Sequence, residues 1–285
     1  MIPSTFDYVR AETVEDAIKL LVESEGEGKL LAGGHSLLPL MKFRLTSPGT
    51  LIDINHISDL RGVQLKDERL VVGALTTHRD IIKDQLVQEH IPVLAQTARQ
   101  IGDIQVRSRG TVGGNIAHAD PAADLPGVAL ALEAEIELQD EDGKQRVSAD
   151  GFFFGPLLTA LPETGVLTAV SFLIPPMHAK SVYVKYEHPA SGYAVVGVCA
   201  IAGKNASGKV DFIRVGINGV SDVAYRASAV EEALLGKAVT EENIRKAALL
   251  ATKDAEMSGD MFASAEYRSH LCSIYTERAL KQVLL

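Results

Sequence analysis

Two short stretches carry the residues able to do chemistry. Leu31-Ala32-Gly33-Gly34-His35-Ser36-Leu37 and Thr111-Val112-Gly113-Gly114-Asn115 each set a glycine pair before small polar residues, between apolar neighbours. Paired glycines allow positive φ and remove the Cβ that keeps a ligand at a distance. The residues after them offer N–H and hydroxyl donors to a phosphate or an alcohol. One such stretch is equally well a tight strand-to-helix turn that binds nothing. Two in one chain, the second trailed by Asp120 and Asp124, point to a single anionic, hydroxyl-rich ligand held from two sides.

Neighbouring residues narrow that chemistry. A carboxylate such as Asp120 or Asp124 suits a ribose or ribityl hydroxyl as acceptor. The same two residues also suit a turn at Asp120-Pro121 and a helix N-cap at Asp124. His118 lies beside them, but no second histidine stands at ligand spacing, which argues against a metal. Arg107 and Arg109 suit a phosphate, and equally a solvated face or a contact with another subunit. Ser36 has no base nearby, so no nucleophilic triad is indicated. The first glycine pair belongs to no Gly-x-Gly-x-x-Gly and is followed by no Gly-Lys-Ser/Thr, so neither a Rossmann site nor a P-loop is supported.

The elements that must position these residues follow from periodicity and caps. Thr13 caps a helix to about Ser24, and Lys29–Ala32 is a short strand running straight into the first glycine pair. Ser36 is placed to cap a helix to about Leu45, and Leu51–Ile54 is a further strand, giving an α/β unit over 1–56. Over 57–176 come the strand Arg69–Ala74, a Thr77-capped helix to about Leu86, and a Pro92-led helix to Ile101. Next are the second glycine pair, a helix from Asp124 or Leu125, the strand Ala134–Leu138, a turn at Asp140–Gly143, and the strand Gly165–Ile174. Pro175-Pro176 breaks the chain. From 177 to 285, three strands in series (Ser181–Tyr186, Tyr193–Ala202, Val210–Ile217) suggest an antiparallel meander. Helices Ala227–Leu235, Thr240–Met257 and Ala265 to the end follow it.

Whole-chain properties set the class. A length of 285 residues exceeds one core. A net charge of -9 and no tryptophan disfavour nucleic acid and anionic membrane surfaces as partners. Cys199 and Cys272 are the two cysteines and form no Cys-x-x-Cys, so this chain cannot hold an iron–sulfur cluster alone. No basic-then-apolar leader opens it, and no apolar run approaches the ~20 residues of a membrane span. A cytoplasmic protein is expected.

At this point the chain resembles a family. Ala32–Leu37, Thr111–Asn115 and Asp120-Pro121-Ala122-Ala123-Asp124 look like the FAD-binding medium subunit of the molybdenum hydroxylases, the xanthine and carbon monoxide dehydrogenase group. The resemblance is greatest to the carbon monoxide dehydrogenase type. Ile2–Tyr8, Ser36–Arg44 and Ala265-Glu266-Tyr267-Arg268 fit as well, so the likeness spans nearly the whole chain. It implies an α+β fold of the vanillyl-alcohol-oxidase (PCMH) type. Two subdomains would clamp FAD, and a C-terminal three-stranded sheet with a helical bundle would follow.

The resemblance also assigns roles. Leu31, Ala32, Gly33, Gly34, His35, Ser36 and Leu37 would embrace the pyrophosphate. Thr111, Gly113, Gly114, Asn115, Ala117, Ala123 and Asp124 would hold phosphate, ribityl and the ring side. Ile101 and Gly102 would approach the adenine half. Lys185 and Tyr193 would approach the isoalloxazine, Tyr193 covering one face; without the family Tyr193 reads as an exposed strand start after a turn at Gly192. Molybdopterin and [2Fe-2S] clusters would sit on large and small partner subunits, in a dimer of heterotrimers. Electrons would reach FAD from the clusters and leave to quinone, NAD or oxygen. No catalytic residue and no metal are assigned to this chain. A self-sufficient FAD oxidase would need a substrate base and a larger substrate domain, and an assembly protein without FAD would not need both glycine motifs.

Overall fold

In the computed structural model, which describes residues 2–285, the N-terminal unit is a three-stranded parallel sheet. Thr50–Asp53 runs between Asp7–Arg10 and Gly28–Leu31. Parallel neighbours need crossovers. Helix Val14–Glu23 supplies one, its start fixed by Thr13 accepting the Asp16 N–H at 3.0 Å and its face by buried Ala17, Ile18 and Leu21. Helix Leu37–Lys42 lies in the other crossover, shorter than expected, and the Ser36 hydroxyl at its start makes no capping bond. Asp7–Arg10 is a strand that the sequence does not announce. It lies at the sheet edge with little burial, so no apolar alternation marks it.

The middle unit is a five-stranded antiparallel sheet in the order Val63–Lys66, Arg69–Gly73, Val166–Leu173, Glu135–Asp140, Gly143–Ser148. Helices pack against it in one apolar core. The helix expected from Thr77 to Leu86 is two, His78–Lys83 and Gln85–His90. Asp84 between them is extended and caps the second by accepting the Val87 N–H. Ile104–Arg109, assigned no element from sequence, is a helix capped by Asp103. The second glycine pair is no loop: Val112–His118 is helical and Thr111 caps it. Phe153–Gly155 and Leu158–Thr159 form a small hairpin.

The C-terminal sheet has the three expected antiparallel strands, Lys180–Glu187, Ala194–Lys204 and Val210–Asn218. A fourth of two residues, Tyr225–Arg226, continues it, too short to leave a period in sequence. Helices Ser228–Leu234, Glu241–Ala248 and Ala265–Leu284 pack on it. The expected helix to Met257 stops at Ala248, and the chain turns so that the Ala251 carbonyl accepts the Tyr225 hydroxyl at 2.8 Å. Helix Asp124–Ala131 is buried at every residue. It packs between the middle unit and the C-terminal strands. Among the described residues no helix is long and apolar enough to cross a membrane.

Candidate functional site

A cleft of about 620 Å³ opens between the N-terminal and middle units, with the 191–193 tip of the C-terminal sheet at its edge. Clefts of ~300–1,000 Å³ are usual for small-molecule and cofactor sites. Sixteen of the eighteen expected site residues line it; Leu31 and Lys185 do not. Leu31 ends a strand behind the wall, where its carbonyl accepts from Ile54 N and Asn55 Nδ2.

The first glycine stretch forms one wall. Gly34 has φ +73°, the left-handed region that glycine enters without strain. Asn55 braces the stretch, its amide reaching the Leu31 and Ala32 carbonyls at 3.1 and 2.9 Å. Among the described residues, the N–H groups of Gly33, Gly34, His35 and Ser36 meet no protein acceptor. Four successive unspent donors beside a cleft form an anion-binding concavity. At Gly33 a Cβ would lie 2.3 Å from the Arg109 carbonyl oxygen and 2.9 Å from Gly110 Cα. Its bare side therefore faces the other unit's backbone and not a ligand.

The second glycine stretch works differently. Its N–H groups are already engaged: Val112 on the Thr76 carbonyl, Gly113 on Ala74, Gly114 on Thr111 Oγ1 and Asn115 on Thr111. It therefore offers space and side chains instead of main-chain donors. A Cβ on Gly113 would meet Ala74 Cβ at 2.5 Å, so this glycine seats the helix against the strand end. A Cβ on Gly114 would crowd Thr111 Oγ1 at 2.8 Å and point across to Ala32 Cβ at 4.0 Å, the opposite wall. Among the described residues, Asn115 Oδ1 is buried without a partner. Buried polar atoms are nearly always hydrogen-bonded, so this one calls for a donor.

Arg107 is not free for phosphate: its guanidinium donates to the Ile101 and Gly102 carbonyls at 3.1 and 2.7 Å, shaping the loop those two residues put into the cleft. Asp120 accepts the Ala122 N–H in a turn. Asp124 is the first residue of its helix, Ala123 being the cap, and is 4 % exposed. Its Oδ1 accepts the Tyr183 hydroxyl at 2.6 Å and its Oδ2 the Lys185 ammonium at 3.1 Å. Burial pushes its carboxyl up to about 6, against the opposing pull of Lys185 and Tyr183. Tyr193 stands exposed at the mouth, its phenol pushed up by partial burial and by Asp120 and Asp124.

Sequence reasoning missed several lining residues. Leu157, Leu158, Leu161, Pro162, Val166 and Leu167 supply an apolar flank from the small hairpin and the strand after it. Their only sequence signal is a run of apolar residues. His78 also lines the cleft, buried, its Nδ1 without a partner among the described residues. Burial, Arg107 and His35 push its imidazole down to about 4, so it is neutral at pH 7.

Unspent donors on one wall, an orphaned acceptor on the other and a glycine cradle between them fit a long anionic cofactor bearing hydroxyls, and FAD has that chemistry. The comparisons agree. The FAD binding domain in molybdopterin dehydrogenase matches residues 4–176, and the CO dehydrogenase flavoprotein C-terminal domain matches residues 181–283. The carbon monoxide dehydrogenase medium chain of Hydrogenophaga pseudoflava is 38% identical over 98% of this chain and 97% of its own length. The glyceraldehyde dehydrogenase medium chain of Sulfolobus acidocaldarius is 35% identical over 99% and 100%. A relative of known structure, carbon monoxide dehydrogenase from Hydrogenophaga pseudoflava, superposes with a TM-score of 0.96 at 39% identity, covering 99% of this chain and 98% of that one. By fold, cleft and sequence, the chain belongs to the FAD-binding medium subunits of the molybdenum hydroxylases, the carbon monoxide and xanthine dehydrogenase family.

Proposed function

We propose that this chain is the electron-transfer subunit of a three-subunit molybdenum hydroxylase. It would accept electrons from [2Fe-2S] clusters on a small partner and deliver them to an external acceptor, while a large molybdopterin partner oxidises the substrate. Two such heterotrimers would pair, in the cytoplasm. Bound FAD supplies the redox chemistry, joining one-electron clusters to a two-electron acceptor. This chain's residues supply placement.

The observation that carries the reading is the run of unspent N–H groups at Gly33–Ser36 in the cleft that Gly114 also lines. Those donors hold the pyrophosphate. Thr111, Gly113, Gly114, Asn115, Ala117, Ala123 and Asp124 flank the phosphate, the ribityl chain and the ring side, Ile101 and Gly102 the adenine half, and Tyr193 one ring face. We divide the chain into cofactor-holding subdomains 1–56 and 57–176 and a C-terminal domain 177–285.

The test is spectroscopic. Reconstituted full-length chain should show flavin absorption that dithionite bleaches and that alcohols, aldehydes and sugar acids leave unchanged. Absence of flavin after reconstitution overturns the reading, and rapid bleaching by a substrate without partners replaces it with a self-sufficient oxidase. Gly114→Val should weaken FAD by about 1–3 kcal/mol, roughly 5- to 150-fold, because its branches fill the cradle. Stoichiometric flavin in that variant would show the glycine to be structural only.

A further inference from the structure

Lys185 projects from strand Lys180–Glu187, and its side chain is 1% exposed. An ammonium has three N–H donors, and each meets an acceptor here. The Gln100 carbonyl lies at 2.8 Å, Asp124 Oδ2 at 3.1 Å and the Gly192 carbonyl at 2.8 Å. The acceptors come from three separate segments. Gln100 follows helix Pro92–Arg99 and precedes Ile101. Asp124 opens the buried helix. Gly192 belongs to the hairpin tip and precedes Tyr193. Each is a cleft residue or the chain neighbour of one, while the ammonium itself lies behind the wall.

We propose that Lys185 is a positioning residue: by drawing the Gly192 carbonyl toward Asp124 and Gln100, it sets where Tyr193 stands at the mouth of the cleft. The consequence for cofactor affinity rests on the FAD reading above; the placement of the tip does not. Other contacts fix the tip's internal shape. Gly192 N–H donates to the His188 carbonyl and His188 N–H to the Tyr193 carbonyl, both at 2.8 Å. The His188 ring packs on Phe262 at 4.3 Å from outside, and Ala194 N–H reaches the Ala122 carbonyl at 3.2 Å just past the tip. Among the described residues, Lys185 alone hydrogen-bonds the tip to both Asp124 and Gln100 beside the Ile101 loop. Arginine would not replace it, because a planar fork does not converge on three acceptors around one nitrogen.

The chain contains no tryptophan, so Tyr193→Trp creates a single fluorescent reporter in the full-length protein. Adding Lys185→Met, without FAD, should shift its emission to the red, lower its anisotropy and raise acrylamide quenching, with far-ultraviolet dichroism unchanged. In the parent with Tyr193 intact, Lys185→Met should weaken FAD about tenfold, the scale of one charge-assisted hydrogen bond. Because Lys185→Met strands the buried Asp124 charge, a second variant combines it with Asp124→Leu, which removes that charge while leaving the tip untied. The reporter should loosen there too. An unchanged reporter in both variants overturns the proposal. So does lost FAD binding with an unchanged reporter, since Lys185 would then act on the cofactor directly. A loosened reporter in a protein whose parent binds no FAD keeps the positioning role and removes the FAD reading instead.

Discussion

At the scale of single residues, two buried titrating groups in the cleft wall oppose each other. Asp124 is raised from 3.8 to about 6, so its contribution to stability is full below 3.8 and is lost as pH rises through about 6. His78 is lowered from 6.5 to about 4, so its contribution is full above 6.5 and is lost as pH falls through about 4. The two act over overlapping windows with opposite sign, so in the parent they offset each other. Urea titrations of variants separate them. Relative to the parent, His78→Gln should gain stability as pH falls from 6.5 to 4. Asp124→Asn should gain as pH rises from 4 to 6, on top of a constant loss from the unpaired Lys185 ammonium. Differences that stay flat with pH would refute both assignments. The sequence showed Asp124 through its place after a glycine motif, but not that it is buried and paired with Lys185 sixty-one positions on. His78 was invisible, since an N-terminal helical histidine after Thr77 looks like any exposed one until Gly110 closes over it.

Between elements, the two glycine stretches divide their labour. The first spends its flexibility on free donors, and the second on close packing. Their backbones meet where Gly33 abuts Arg109 and Gly110. Gly33→Ala therefore adds a methyl that only main chain can yield to, and it should cost about 1–3 kcal/mol as well as displace the donors. Calorimetry of the chain without FAD should show a lower Tm, and FAD titration a weaker Kd. An unshifted Tm would mean that the two units are looser than this contact requires. Strand and helix alternation exposed most elements, because buried faces leave a period in the sequence. It hid the edge strand Asp7–Arg10, which buries little, and the helical state of Val112–His118. Two glycines at a helix start look like a loop when the Thr111 cap and the Ala74 contact are out of view.

For the whole molecule, the matched boundary between residues 176 and 181 suggests separable parts, whereas the packing does not. Tyr183, Cys199 and Ile201 of the C-terminal sheet belong to the middle unit's core. A fragment ending at Pro176 would bare helix Asp124–Ala131 along one flank, and exposed apolar patches of that kind drive association. Such a fragment should aggregate on gel filtration and fail to retain FAD, while the full chain runs as a defined species. A soluble, flavin-loaded fragment would show that the C-terminal sheet is dispensable cover. The overall architecture was legible through the likeness of its motifs to a family; the sharing of one core between units was not, because it depends on contacts made far apart in sequence. The same helix has a mechanical consequence. It is a rod without a free face, its first residue in the cleft and its body against strands that lead out to the protein surface. Close-packed interiors transmit displacement instead of absorbing it. A push on the C-terminal sheet from outside would therefore arrive at the cofactor cleft as movement of Asp124.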